Sequence, residues 1–362
     1  MRISTINIYK YTLPLKRPLL LKGHSLKERS GIIIEVISEQ GVHGFGEIAP
    51  LPYFSRESAA DALKQAEKME AYLRGEDLPP GLHKLEGAFQ GWLGGLKLYP
   101  SVQFGIEAAT LNMMANARNV VLSHLLSEET HDKISINGLL QGNLAEVTEQ
   151  AHQLRLEGFT AMKLKVGNNL EEDITKVKAI NAILDGKAIL HLDANQSWDI
   201  DTAIAFGNEI GCAAVDYIEE PLESPESIPH FFETTLIPVA LDESLHRLDF
   251  KEIQAIEGVD VLVLKPTLVG GIEKTWGLIN AAGRQAIEVV ISSSFESSIG
   301  ILTLANLAGG CTTRDRNAGL DTLKWFEKDL IKDKIVFEHG KLDISKKKIT
   351  ESDVNFQLLE KV

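Results

Sequence analysis

The sequence predicts an α/β chain: a closed parallel (β/α) barrel preceded by an α+β unit. Three observations support this. A strand–helix repeat of nearly constant period runs from about residue 133 onward, polar residues end nearly every strand of that repeat, and an antiparallel pattern precedes it.

At the start, STINIYKYTLPL and SGIIIEVISEQGVHGFGEIAPL read as antiparallel strands with a turn at Glu39 to Gly41. SRESAADALKQAEKMEAYLRG reads as a helix opened by Ser55 or Ser58. The glycine-rich run around LPPGLHKLEGAFQGWLGGLKLYP marks a looser connection toward a helix near 101–117. Residues 1–118 are assigned to this capping unit. The repeat consists of KISING, AMKLKV, AILHLDA, AVDYIEE, IPVALDE, DVLVLKP and EVVISSS, centred near 136, 164, 192, 218, 240, 263 and 290. The steps of 22 to 28 residues suit a strand, a helix and two loops, which assigns 119–324 to the barrel. A doubly wound sheet is the alternative, and it would place polar strand ends at one switch point only. The tail DKIVFEHGKLDISKK reads as a hairpin, and residues 325–362 are expected to return to the capping unit.

Composition narrows the function. With 51 acidic against 37 basic residues the formal charge is −14, which disfavours nucleic acid and anionic membrane as partners. Cys212 and Cys311 have no metal-ligand spacing and read as reduced, buried thiols. No window approaches a membrane span, and MRISTINIYKYTLPL lacks a signal-peptide run, so a cytoplasmic protein is expected. The sequence assigns no oligomeric state.

The strand ends carry the chemistry. Lys163 and Lys165 close the second barrel strand, Asp193 the third, Glu219 the fourth, Asp242 the fifth and Lys265 the sixth. Groups at C-terminal strand ends share the barrel mouth, and in an eight-membered ring the second and sixth strands stand opposite one another. Three carboxylates together repel unless a cation joins them, and oxygen donors with room for water and substrate favour one magnesium ion, with manganese as the substitute. Burial and a nearby cation both lower an ammonium's pKa, so one lysine could act as a base.

The motifs KLK (163–165), DAN with Trp198, IEEP (218–221), LDES (241–244) and LKP (264–266) resemble the enolase superfamily in its muconate-lactonising subgroup. The resemblance implies a TIM-like barrel of the (β/α)7β type under the cap. It also implies Asp193, Glu219 and Asp242 as metal ligands, Lys165 as the base, Lys265 as the lysine opposite, and Lys163 as its helper at the substrate carboxylate. Asn195, Glu220 and Glu243 fall just beyond these positions and read as supports around the ligands. GEIAPLPYFSRES, SSSFESSIG and GLDTLKWFEKDL resemble the o-succinylbenzoate synthase branch, a group of lyases of menaquinone biosynthesis. That implies dehydration of a cyclohexadiene carboxylate, with Ser293 and Ser294 receiving the succinyl carboxylate of a small-molecule substrate, helped by backbone N–H groups at the start of the helix that follows, where the helix dipole favours an anion. An N-succinylamino acid racemase or another racemase or cycloisomerase of the subgroup is the rival enzyme. A silent metal-binding scaffold is the non-enzyme alternative, and paired buried lysines argue against it.

Blander readings apply to other residues. Asp242 could be only a helix cap, His191 reads as a packed core histidine, and Trp198 and Trp325 read as packing. Glu296 reads as structural, and His24 and Arg29 as either pocket lid or surface charge.

Overall fold

A computed structural model describes residues 1–311 and 316–362. Long strands β1 (Ile3–Leu21) and β2 (His24–Ser38) pair antiparallel, and β3 (His43–Ile48) adds to β2. Helix α1 (Ala59–Leu73) starts at Ser58, whose side chain accepts from the Asp61 N–H while Asp61 reaches back to the Ser58 N–H. Ser55 has another task, accepting from the Leu51 N–H at 2.8 Å. Of the two candidate serines, only Ser58 is followed three residues later by a side chain that can reciprocate.

The glycine-rich run is more ordered than its composition suggests. It contains the short helix α2 (Ala88–Leu93), with Phe89 and Leu93 buried. The N–H groups of Gly87, Phe89 and Gln90 donate to the carboxylate of Glu273, at 3.0, 3.1 and 2.7 Å. A partner 183 to 186 residues away cannot be read from local composition. Next come α3 (Pro100–Ala117), opened by proline at its first position, and α4 (Leu122–Leu126).

Helix α3 lies directly on β3 because glycines let the backbones touch. A Cβ at Gly46 would lie 2.0 Å from the Gly105 carbonyl oxygen. Gly46→Ala is therefore expected to cost about 1–3 kcal/mol through forced backbone shifts, read as a lower urea midpoint. An unchanged midpoint would mean the two elements are not in close contact.

The run KISING does not form one barrel strand. Strand β4 (Lys133–Ser135) pairs antiparallel with a late strand, and the first barrel strand is β5 (Gly138–Leu140). The remaining barrel strands alternate with helices: α5 (Leu144–Leu156), β6 (Ala161–Lys165), α6 (Leu170–Leu184), β7 (Ile189–Asp193), α7 (Ile200–Ile210) and β8 (Tyr217–Glu219). Then follow α8 (Ile228–Thr235), β9 (Val239–Leu241), α9 (Phe250–Ile253), β10 (Val259–Leu264), α10 (Pro266–Val269), α11 (Ile272–Gly283), β11 (Glu288–Ile291) and α12 (Ser298–Gly310).

Strands β5 to β11 form one parallel sheet in sequence order. The ring closes through Ala318 and Gly319. Gly319 donates to the Ile291 carbonyl at 2.9 Å, and the Asn137 N–H donates to the Ala318 carbonyl at 3.0 Å. The protein is thus a (β/α)7β-type barrel with an antiparallel N-terminal sheet.

The tail partly departs from expectation. The late strand that pairs with β4 is β12 (Lys341–Asp343), so the hairpin-like stretch lies on the barrel side. The return to the cap is made at the two ends of the tail, by the Leu15–Phe326 bridge and by the last strand, β13 (Glu360–Lys361), both on β1. No helix among the described residues is long and apolar enough to cross a membrane. Cys311 is buried, but Cys212 is exposed, because it begins a short turn after α7 rather than a strand.

Candidate active site

Strand alternation and register build the site. Residues two apart share a face, and the parallel register sets Lys165 beside Asp193 and Asp193 beside Glu219. Glu219 pairs with Ala240, two residues before Asp242, and Leu262 pairs with Leu241, three before Lys265. Below this row the same face continues as a small second core of Tyr217, Ala240, Val261, Val263 and Val290. His191 packs there as a core histidine, 1% exposed and tilted on Tyr217, with burial pushing its pKa down to about 3.

All six charged strand-end residues meet at the mouth. The Lys163 Nζ donates to Glu219 at 2.6 Å and lies 2.9 Å from Asp193. The Lys165 Nζ donates to Asp193 and to the Asn195 side-chain oxygen, both at 2.6 Å. Lys265 donates to Asp242. Asp242 makes no side-chain capping bond to the turn that follows, which removes the helix-cap reading. The carboxylates of Asp193, Glu219 and Asp242 are 1%, 0% and 3% exposed.

Electrostatics follow from this crowding. Burial pushes the Lys163 ammonium down, yet Asp193 and Glu219 outweigh it and hold the lysine well above its usual range. Lys265 is held up in the same way by Asp242 and Glu219. Burial raises Asp193, but Lys163 and Lys165 outweigh it and keep this carboxyl low. Burial, with Asp193 beside it, raises Glu219. Asp242 is raised by burial and by Glu243 and Glu219 against the pull of Lys265, so the Asp242–Lys265 pair holds its proton tightly. The protein atoms therefore raise Lys163 and Lys265 rather than lower them, because the carboxylates around these two ammonium groups outweigh burial.

The donor set suits a hard cation. Glu219 Oε1 is buried with no hydrogen-bond partner, and so is Glu243 Oε2. A buried carboxylate oxygen left unpaired is costly unless something binds it. A second grouping of ligand atoms brings Glu351 of the tail to Glu35 on β2 and His43 on β3. There Glu35 already accepts from Asn7 and Tyr9 and bonds His43, so no orphaned oxygen marks that cluster.

The supporting residues have distinct tasks. Glu220 turns away from the mouth and accepts from the backbone N–H groups of Asp242 and Ser244, at 2.8 and 2.7 Å. It thereby fixes the chain at Asp242. Asn195 links Lys165 to Glu243, donating to the latter at 2.8 Å. Asn195, Gln196 and Glu220 all have positive φ, at 44°, 61° and 44°, a strain found where surrounding contacts over-determine the backbone.

A cavity of about 390 Å³ opens above the row, lined by Lys163, Lys165, Asp193, Glu243 and Lys265 and by Ser292 and Ser293. Ser293 shares its hydroxyl with Thr322 at 2.8 Å. Ser294 departs from expectation: it is 1% exposed, does not line the cavity, and its hydroxyl is unpartnered. The strand ends at Ile291, so alternation no longer sets which serine faces inward. The helix start expected to hold an anion is also taken. Glu47 accepts from the Ser297 and Gly300 N–H groups at 2.9 and 2.8 Å, and Asp329 from the Ser298 N–H at 2.9 Å.

Sequence reasoning assigned no role to Asn137, Gln141, Phe54, Phe295, Asp321, Thr322 or the hairpin tip at Leu19 to Gly23, all of which line the cavity. Asp321 and Thr322 sit in the quoted GLDTLKW motif, which was the available signal. His24 is exposed and stacks on Tyr53 at 4.0 Å. Arg29 is neither lid nor surface charge, being 1% exposed. Trp198 and Trp325 are buried, as packing residues are. Glu296 is buried and accepts from the Thr267 hydroxyl at 2.6 Å.

Comparison with known proteins agrees with this architecture. Residues 3–113 match the family described as MenC, N-terminal domain, and residues 146–348 match the one described as Enolase C-terminal domain-like. The o-succinylbenzoate synthase of Pasteurella multocida (strain Pm70) is 31% identical over 336 residues, spanning 91% of this chain and 92% of that one. A dipeptide epimerase from Enterococcus faecalis V583, solved with Mg and the dipeptide L-Leu-L-Tyr, shares the fold at TM-score 0.85 and 21% identity, covering 98% of this chain and 100% of that one. An N-succinyl Arg/Lys racemase from Bacillus cereus ATCC 14579 does so at TM-score 0.87 and 21% identity, with 100% of both chains covered. With both halves matched and the mouth assembled, the chain belongs to the enolase superfamily and, within it, to the o-succinylbenzoate synthase family of lyases.

Proposed function

We propose that this enzyme dehydrates 2-succinyl-6-hydroxy-2,4-cyclohexadiene-1-carboxylate to 2-succinylbenzoate, in the cytoplasm and as a step of menaquinone biosynthesis. The observation that carries the reading is the match to an o-succinylbenzoate synthase along nine-tenths of both chains. Residues 1–118, joined at β1 by the last strand β13, act as a cap over the catalytic barrel of 119–324.

Asp193, Glu219 and Asp242 would hold one magnesium ion, or manganese in its place, through oxygen donors that include the unpaired Glu219 Oε1. When bound, the ion supplies positive charge for the electron density that builds on the substrate carboxylate.

The chain's own groups do the rest. Lys165 has the most accessible ammonium of the three lysines, with 37% of its side chain exposed against 11% for Lys163 and 16% for Lys265. As the neutral amine, its ammonium proton released to solvent, it takes the proton on the carbon bearing the ring carboxylate. Lys265, from the opposite wall, faces the developing negative charge and stabilises it. Lys163 stays charged between Asp193 and Glu219 and keeps that wall from repelling an anionic substrate. The C–O bond then breaks, and the hydroxyl leaves as water with the proton that Lys165 carries. Aromatisation drives this second step, so proton removal is the harder one. Ser293, with Thr322, lies on the cavity wall available to the succinyl tail.

The test is an assay of the purified chain with magnesium on the cyclohexadiene, run beside α-hydrogen exchange of an N-succinylamino acid in deuterium oxide. Formation of 2-succinylbenzoate is expected. Racemisation of the amino acid without any dehydration would replace this reading by the racemase.

A further inference from the structure

We infer that Arg29, on β2, is a positioning residue that holds the Ser293–Phe295 wall of the cavity in place from the cap side. Its guanidinium is buried and bonds no carboxylate among the described residues. It donates instead to backbone carbonyls: Pro50 at 2.9 Å, Ala49 at 2.7 Å and Ser294 at 3.1 Å, with a longer bond to its neighbour Ser30 at 3.3 Å. The first two belong to the cap, and the third lies 265 residues away in the loop after β11. A buried guanidinium needs acceptors, and here it finds one on each side of the seam.

The clamped loop is strained. Phe295 has φ 60°, a left-handed conformation that a bulky side chain rarely adopts and that persists only when neighbours over-determine it. Upstream, the Ser294 carbonyl accepts from Arg29, and its N–H donates to Glu296 at 2.5 Å. Downstream, Glu47 on β3 takes the N–H and hydroxyl of Ser297 at 2.9 and 2.6 Å, and the Gly300 N–H as well. Gly300 has room for this only without a side chain, since a Cβ there would lie 2.8 Å from the Glu47 oxygen. The loop is thus gripped at both ends by cap residues, with Phe295 between the grips. Phe295 lines the cavity and meets Trp325 edge-on at 5.9 Å.

Releasing Arg29 lets Phe295 relax out of its strained conformation and moves a wall of the cavity, while the lysines and carboxylates on β6 to β10 keep their places. The consequence is weaker substrate binding with the chemical step nearly intact. The kinetic part of this inference rests on the proposed dehydration. The position of Phe295 does not.

The experiment uses the full chain with Arg29→Met, which keeps the unbranched apolar stem and removes the donors. Trp325 fluorescence, isolated by subtracting the spectrum of the matching Trp325→Phe protein, reports the neighbouring ring. KM and kcat report binding and chemistry separately. A changed Trp325 contribution and a KM raised about tenfold, with kcat within about threefold, are expected, and Arg29→Lys should recover part of both. A wild-type KM overturns the inference whatever the emission does, and so does a fall in kcat alone. Should the wild-type chain fail to dehydrate the substrate, the proposed function falls separately and the Trp325 emission alone decides on Arg29. Should Arg29→Met not fold, Arg29→Lys carries the same readouts, and wild-type values in both would overturn the assignment.

Discussion

Lys165→Ala is expected to abolish dehydration and α-hydrogen exchange together, each by about 10³-fold or more, near the upper end of what a positioned acid–base group contributes. The expectation comes from how the three lysines are occupied. Lys163 divides its ammonium between Glu219 and Asp193 and shows only 11% of its side chain at the cavity. Lys265 is bonded to Asp242 within the opposite wall. Lys165 touches Asp193 and Asn195, yet more than a third of its side chain faces the cavity. Of the three it is the lysine that a substrate C–H can approach most directly. Lys265→Ala should slow dehydration through lost charge at the opposite wall but leave some exchange at the face that Lys165 serves. Mass spectrometry of substrate recovered from deuterium oxide separates the two variants. Exchange that survives the loss of Lys165 would identify another group as the base and would reopen the racemase-type arrangement, in which each lysine serves one face.

How much of this was legible in the sequence depends on the distance over which each feature is made. The barrel period is local, since each strand and its following helix are adjacent in the chain, so six of the seven barrel strands fall where the spacing puts them. The same holds for Lys163, Lys165, Asp193, Glu219, Asp242 and Lys265. A strand end is a local feature, and the ring geometry gathers strand ends without further information. The run at 133 to 138 misled because its partner, β12, lies some 200 residues downstream, and a β-rich run does not declare which sheet it will join. Closure of the ring through Ala318 and Gly319 was invisible for a related reason, as two residues carry no periodicity. Ser294 failed through an end effect: alternation predicts facing only while the strand lasts, and β11 stops three residues earlier. Helix α12 looked like a free anion site because its acceptor, Glu47, is 250 residues upstream on a different sheet. Arg29 was ambiguous for the same reason. Its partners are carbonyl oxygens, which every residue has, so no partner side chain in the sequence could betray them.

Glu219→Gln is expected to weaken magnesium binding at least about a hundredfold by calorimetry, beyond the 10–100-fold typical of groups that merely orient a ligand. Glu219 is fully buried, with Oε2 committed to Lys163 and Oε1 to nothing. An amide keeps the shape and can still accept from Lys163, but it removes the negative charge and half of the oxygen donors at the most enclosed point of the site. Without magnesium, the variant should be no less stable than the parent, since the buried carboxylate is already raised by burial and by Asp193 and gains little from being charged. Magnesium added to the parent should raise its thermal midpoint by mass action, and the same addition should leave the variant nearly unmoved. These two readouts separate loss of a ligand from loss of the fold. A variant that melts early with or without the ion would make Glu219 a packing residue. One that binds magnesium with the parent's affinity would take Glu219 out of the ion's coordination altogether, leaving Asp193 and Asp242 too few to hold it and shifting attention to Glu243, whose Oε2 is the other unpaired oxygen at the mouth.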